Sequence, residues 1–197
     1  EWALNELRDK LKIIVRHGIG VDNIDLNAAA KLGIPVTNGP GRNARAVAEH
    51  ALAMMLCLTR GIMRYDREVR SGKWQPSVTR ELYRKTVGII GFGAIGKWLA
   101  KYLKSFDCRI LAHDIQFDST QAAELGVEYA EIDDILSLSD FVSLHMPLTP
   151  QTQNSIGMDF FKKMKPDAYL INTARGKIVR ENELVEALDQ GIIKGAG

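Results

Sequence analysis

The stretch Thr86-Val87-Gly88-Ile89-Ile90-Gly91-Phe92-Gly93-Ala94-Ile95-Gly96 restricts the fold more than any other part of the chain. Val87, Ile89 and Ile90 form a short apolar run of the kind that fills a central parallel strand. Three glycines follow at the spacing G-x-G-x-x-G. Gly91 permits a tight turn, Gly93 lets a pyrophosphate approach bare backbone, and Gly96 lets the next helix pack closely on the strand. The free N–H groups and positive end of that helix favour phosphate charge. Glycine turns are common, so the motif alone is weak. Its context is what counts: a strand before, a helix after, and Asp114 at 18 positions beyond Gly96, closing the strand-like run Arg109–Asp114. A carboxylate at that distance suits the ribose hydroxyls of a dinucleotide. Ile115 and Gln116 follow it, with no Arg for a 2′-phosphate, which favours NAD over NADP.

The pattern elsewhere agrees with an α/β, doubly wound parallel sheet. Helices are expected over Ser119–Leu125, Asp133–Leu138, Asp159–Met164 and Glu181–Gln190. Strands are expected over Val127–Tyr129, Phe141–His145 and Ala168–Asn172. Before the glycine motif, residues 1–12 read as the end of a helix and Ile13–Val15 as a strand. A glycine-rich loop runs Arg16–Asn23. Asp25–Leu32 reads as a helix capped by Asp25, and Ile34–Thr37 as a strand. The turn Asn38-Gly39-Pro40-Gly41 is the expected domain boundary, leaving 1–38 as part of a second domain and 39–197 as the nucleotide domain. Residues 43–70 predict a long helix interrupted near Gly61. It is apolar on most faces from Ala46 to Leu58, so it is either a central core helix or a helix shared with a second subunit.

Composition mainly excludes. A net charge of +2 argues against nucleic acid or an anionic membrane surface as partner. The apolar run Ala51–Leu58 is too short to span a bilayer. Cys57 and Cys108 share no metal or redox spacing, so no metal is expected, and reduced, buried thiols suit a cytoplasmic protein. The chain starts at Glu1 rather than Met, and Ile192–Gly197 reads as a strand cut short. Both suggest a piece of a longer polypeptide.

In an open parallel sheet, ligands lie at the carboxyl ends of the strands. That rule selects Gly91, Asp114, His145 and the segment Asn172-Thr173-Ala174-Arg175-Gly176. The planar guanidinium of Arg175 suits a substrate carboxylate beside a carbonyl that is to receive hydride. His145 reads either as a general acid or as a cofactor-loop histidine packing on the nicotinamide ribose. His17 either faces the cleft or is structural. His50 is expected in the core or an interface, and His113 on the face opposite the ribose carboxylate.

Four segments, Arg16–Asp25, Gly91–Gly96, Ser143–Thr149 and Ile171–Gly176, occur in an order that resembles the NAD-dependent D-isomer-specific 2-hydroxyacid dehydrogenases. The chain is similar above all to the D-3-phosphoglycerate dehydrogenases and the hydroxypyruvate or glyoxylate reductases among them. The resemblance implies a Rossmann domain truncated at its C-terminal end and a flavodoxin-like remnant of a substrate domain over 1–38. It implies that Ile19 and Gly20 offer N–H groups to the substrate carboxylate. It implies further that Gly91, Gly93, Ala94, Ile95, Gly96, Asp114, His145, Met146, Pro147, Thr152, Thr173, Ala174 and Arg175 line the NAD site, and that Arg175 is catalytic. The helix over 43–70 would be the homodimer contact. The family's catalytic His and Glu would fall beyond Gly197, so the 197-residue chain by itself is expected to turn over feebly. Arg180 departs from the family, which more usually has an acidic residue there.

Two functions follow. One is an oxidoreductase moving hydride between nicotinamide and C2 of a 2-hydroxy or 2-keto acid, placed in serine biosynthesis if the substrate is phosphoglycerate. The other is a non-catalytic, NAD-binding regulatory protein of the corepressor type on the same scaffold. The residues do not name the acid.

Overall fold

The computed structural model describes residues 2–197 and divides the chain after Ala44 into two units. The first carries helix α1 (Trp2–Leu7), strand β1 (Ile14–Arg16), helix α2 (Leu26–Lys31) and strand β2 (Val36–Asn38). β1 and β2 pair in parallel, with Ile14 opposite Val36. Asp25 caps α2, its carboxylate accepting the Ala28 N–H at 2.9 Å. Ala28, Ala29 and Ile34 are buried. α1 is shorter than the expected 1–12 helix because the chain turns after Leu7, where the Lys10 N–H returns to the Leu7 carbonyl. Glu1, the first residue of that expected helix, lies outside the described residues. β2 begins after Pro35, which has no N–H for a ladder and serves as acceptor for the Ile14 N–H at 2.9 Å.

The second unit holds helix α3 (Ala44–Arg60) from its second residue on, helix α4 (Ile62–Arg70), strand β3 (Thr86–Ile90), helix α5 (Ala94–Leu103) and strand β4 (Arg109–His113). It continues through helix α6 (Ser119–Leu125), strand β5 (Val127–Tyr129), helix α7 (Ile132–Leu138), strand β6 (Phe141–Leu144) and helix α8 (Met158–Phe161). Strand β7 (Tyr169–Asn172), helix α9 (Glu181–Asp189) and strand β8 (Gly195–Ala196) complete it. All neighbouring strands are parallel, in the order β5-β4-β3-β6-β7-β8. Successive connections run one way from β3 through β5 and the other way from β6 through β8. The reversal lies between β3 and β6, where an open α/β sheet leaves its ligand crevice.

Side-chain alternation divides the core between the two faces of this sheet. Val87, Ile89, Ile110, Ala112, Phe141, Tyr169 and Ile171 point to one face, with Leu99, Ala100 and Leu103 of α5 and Ala48, Ala51 and Met55 of α3. Ile90, Leu111, Val142, Leu144 and Leu170 point to the other, with Ile135 and Leu136 of α7, Phe161 and Ala187. Gly88 is the exception that makes β3 fit. A Cβ there would collide with Ile135 and with Ser139 Oγ, so its absence lets α7 lie against the strand.

Helix α3 buries one stripe, Ala48, Ala51, Met55 and Thr59, spaced as one helical face. It is therefore not covered on all sides: Ala46 and Ala53 are exposed, and so is His50, which lies outside the core where the sequence placed it as one of two choices. Gly61 adopts φ 62°, a left-handed conformation, and α3 and α4 meet there at a 63° bend. No single helix among the described residues is long and apolar enough to cross a membrane. The expected helix Asp159–Met164 is shorter, α8 ending at Phe161 and passing into turns before Pro166.

Candidate functional site

The glycine turn leaves β3 at the reversal point and is held by bare backbone. Gly91 has φ 101°, and a Cβ on it would lie 2.6 Å from the His145 carbonyl carbon and 2.7 Å from the Met146 nitrogen. A Cβ on Gly96 would lie 2.5 Å from the Gly91 carbonyl oxygen. Neither neighbour is a flexible side chain, so only glycine fits at either position. Gly93 differs. It is exposed, with φ −79°, and nothing lies within 4 Å of where a Cβ would be. It occupies the N-cap of α5 without a side-chain hydrogen bond, so the helix start is open. Open space in front of a glycine at an uncapped helix N-terminus fits a pyrophosphate. Ala94 is exposed and Ile95 half-buried beside it.

Asp114 stands immediately after β4, half-buried. One carboxylate oxygen accepts the Phe92 N–H at 2.7 Å, and the other accepts the Gln116 N–H at 2.9 Å. The group thus ties the glycine turn to the β4 exit. A carboxylate offers about four acceptor positions, so two remain for a ribose diol. His113, one residue earlier, turns away. Its ring lies by Tyr129, 5.8 Å between centroids, with Nδ1 3.9 Å from Glu131.

His145 follows β6. Its Nε2 lies 2.9 Å from Ser143 Oγ and its Nδ1 3.4 Å from Thr173 Oγ1, so it links the exits of β6 and β7. The residue is partly exposed, but burial of the ring pushes its pKa down to about 4. It is therefore a neutral imidazole near pH 7, a poor proton donor. Ser143 is itself buried and was missed in the sequence, although it lies two residues before His145 and so on the same strand face.

The chain beyond His145 folds on its own polar groups. The Thr152 hydroxyl donates to the Pro147 carbonyl at 2.6 Å and accepts the Thr149 N–H at 2.8 Å. Met146 packs on the apolar cluster at the α7 face. After β7, Asn172 braces the next loop: its side-chain oxygen accepts the Ala174 N–H at 3.0 Å, and its amide donates to the Arg175 carbonyl at 2.9 Å. Arg175 is half-buried, and its guanidinium donates to the Ala174 carbonyl at 2.8 Å. The Gly91, Asp114, His145 and Arg175 positions thus all lie at carboxyl ends of strands in one sheet.

In the first unit, Gly18 has φ 123°, and the carbonyls of the glycine loop accept local hydrogen bonds. Gly18 O accepts from Gly39 N–H at 3.0 Å, Ile19 O from Asn38 at 2.8 Å and Gly20 O from Arg16 at 3.2 Å. His17 is exposed.

A parallel sheet that reverses at a glycine turn, with an acid after the next strand, defines a dinucleotide-binding α/β domain. The chain belongs to the D-isomer specific 2-hydroxyacid dehydrogenase family, whose NAD binding domain matches residues 52–197. It is 44% identical to a glyoxylate reductase of Thermococcus litoralis, over 98% of this chain and 61% of that protein. It is 42% identical to a D-3-phosphoglycerate dehydrogenase of Synechocystis sp., over 95% of this chain and 34% of that protein. Among solved structures it resembles apo D-lactate dehydrogenase from Escherichia coli, with a TM-score of 0.90 at 38% identity, over 98% of this chain and 62% of that one. It also resembles D-lactate dehydrogenase from Aquifex aeolicus complexed with NAD and lactic acid, with a TM-score of 0.87 at 36% identity, over 100% of this chain and 60% of that one. The chain therefore spans about three fifths of the glyoxylate reductase and of both lactate dehydrogenases.

Proposed function

We propose that this protein is an NAD-dependent oxidoreductase acting between a D-2-hydroxy acid and the corresponding 2-keto acid. The observation that carries the reading is the turn after β3, with Gly93 open and Asp114 bonded to the Phe92 N–H. Bound NAD would accept or supply the hydride at its nicotinamide C4. In this reading the first turn of α5, at Ala94 and Ile95, faces the pyrophosphate, and Asp114 accepts from the ribose hydroxyls. The segments His145-Met146-Pro147, Thr152 and Thr173-Ala174 line the nicotinamide half. His145, neutral and held by Ser143, shapes that wall without donating a proton.

Arg175 orients the substrate by pairing its planar fork with the carboxylate and polarising the neighbouring carbonyl. The family resemblance assigns the Ile19 and Gly20 N–H groups to substrate-carboxylate binding, with residues 1–38 as the chain's share of a substrate domain. A homodimer through 43–70 would cover the faces of α3 and α4 that leave Ala46, Ala53, Ile62 and Met63 exposed. A cytoplasmic site of action agrees with two free thiols. The substrate is glyoxylate, hydroxypyruvate or 3-phosphohydroxypyruvate, and only the last would place the protein in serine biosynthesis.

The test is NADH oxidation by the intact protein against these three keto acids. One should be turned over, and Arg175→Gln should lower kcat/KM by about 10–150-fold, the worth of a charged hydrogen bond. Tight NADH binding with no turnover of any 2-keto acid would favour a regulatory protein on the same scaffold.

A further inference from the structure

Arg180 stands at the N-cap of α9, where a side-chain oxygen would normally accept an N–H of the first turn. An arginine cannot do that, and its side chain makes no cap bond. It reaches instead to the loop after β6. Arg180 Nε donates to the Asn154 carbonyl at 2.8 Å, and Nη1 donates to Glu183 Oε1 at 3.1 Å. The other oxygen of Glu183 accepts the Met158 N–H at 2.5 Å. Backbone bonds run alongside: Asn154 N–H to Lys177 O at 2.8 Å, Ile156 N–H to Ile178 O at 3.1 Å, and Arg180 N–H to Ile156 O at 2.9 Å. Gly157 is shaped for this arrangement, since a Cβ there would collide with the Glu183 carboxylate and approach Arg180 Cδ at 3.0 Å.

We propose that Arg180 and Glu183 are positioning residues, a latch that fixes the loop carrying Met146, Pro147 and Thr152 against the loop carrying Arg175. The proposal rests on the cofactor reading above for what those loops bind. The physical reason is connectivity. Residues 154–156 and 177–180 form one short parallel pairing, bridged at Ile156 and Val179, with the two candidate loops as its upstream flanks. Two charge-assisted bonds from one guanidinium and two bonds to one carboxylate close its open side. The Met158 N–H and then Arg180 hold the Glu183 carboxyl below the usual glutamate range, so the latch stays charged at neutral pH. Opening it would leave only the three backbone bonds to hold the two loops in register.

Arg180→Ser separates this role from helix stability, because serine restores a helix cap but cannot reach Asn154. In the intact protein, hydrogen exchange and NADH affinity are measured for the parent, R180S and R180K. In R180S the amides of 150–158 should exchange about tenfold faster, NADH Kd should rise about 3- to 10-fold, and the melting temperature should hold or rise. R180K, which keeps one donor without the fork, should fall between. Parental exchange and affinity in R180S would overturn the proposal, as would faster exchange spread evenly over the sheet. If the parent itself fails to bind NADH, the cofactor reading fails, and selective exposure of 150–158 in R180S would still establish the latch.

Discussion

The turn at Gly91–Gly96 and the loop from His145 to Met158 leave adjacent strands, β3 and β6, and are held in different ways. The turn is held by what it lacks. Missing side chains at Gly91 and Gly96 let backbone lie within 2.5–2.7 Å of where a Cβ would be. The loop is held by what it carries: the Thr149–Thr152 hydroxyl bonds, then Arg180 and Glu183 from the start of α9. Steric exclusion is all-or-none, because a methyl group either fits or displaces backbone. Polar ties are graded, since each contributes about 0.5–3 kcal/mol and can be replaced in part. Changes at Gly91 or Gly96 should therefore act on the fold as a whole, and changes in the loop on local order.

The comparison can be tested at several strengths. Gly91→Ala should be the most damaging. It places a Cβ against the His145–Met146 backbone at φ 101°, for a loss of about 3–5 kcal/mol in urea unfolding. A stable G91A protein would mean that the turn relaxes more easily than its geometry implies. Asp114→Asn should leave the fold in place, because the amide oxygen can still accept the Phe92 N–H. It should raise NADH Kd by about 10–100-fold and narrow the preference over NADPH. Unchanged affinity would remove Asp114 from the ribose.

A weaker effect is expected from His145. Burial depresses its folded pKa to about 4 from 6.5, so the unfolded chain binds the proton more readily. Its contribution is fully present above about pH 6.5 and is lost as pH falls towards 4. At about pH 5 the loss is at most about 2 kcal/mol, less as solvent reaches the partly exposed ring. His145→Gln should flatten that acid limb in urea midpoints measured across the range, and an unaltered limb would assign it to other groups.

The difference between turn and loop also explains what the sequence could show. Steric demands leave a local trace: G-x-G-x-x-G after Val87-Gly88-Ile89-Ile90 announces β3, the turn and α5 within fifteen residues. The apolar runs of β4, β6 and β7, and Asp25 as a cap, are legible for the same reason. Contacts between distant positions leave none. Arg180 and Asn154 are 26 residues apart, and only the departure from an acidic residue at 180 marked the place. His50 is exposed, so of the core or interface position expected for it only the interface remains. Its helix reads as apolar on most faces, but from Ala48 onward only the stripe Ala48, Ala51, Met55 and Thr59 is fully buried, Leu52, Met54, Leu56 and Leu58 are half-buried against the same core, and Ala46 and Ala53 are exposed. Cys57 and Cys108 are free but half-buried rather than buried as expected, and burial pushes the Cys108 thiol up to about 11.

The most direct test of the account is Gly93→Ala. Gly93 has ordinary φ, and nothing lies within 4 Å of its Cβ position, so the fold has no use for a glycine there. A pyrophosphate lying on that backbone does. The substituted protein should melt within about 2 °C of the parent and bind NADH at least about tenfold more weakly. Parental NADH affinity in Gly93→Ala would contradict a phosphate at that turn.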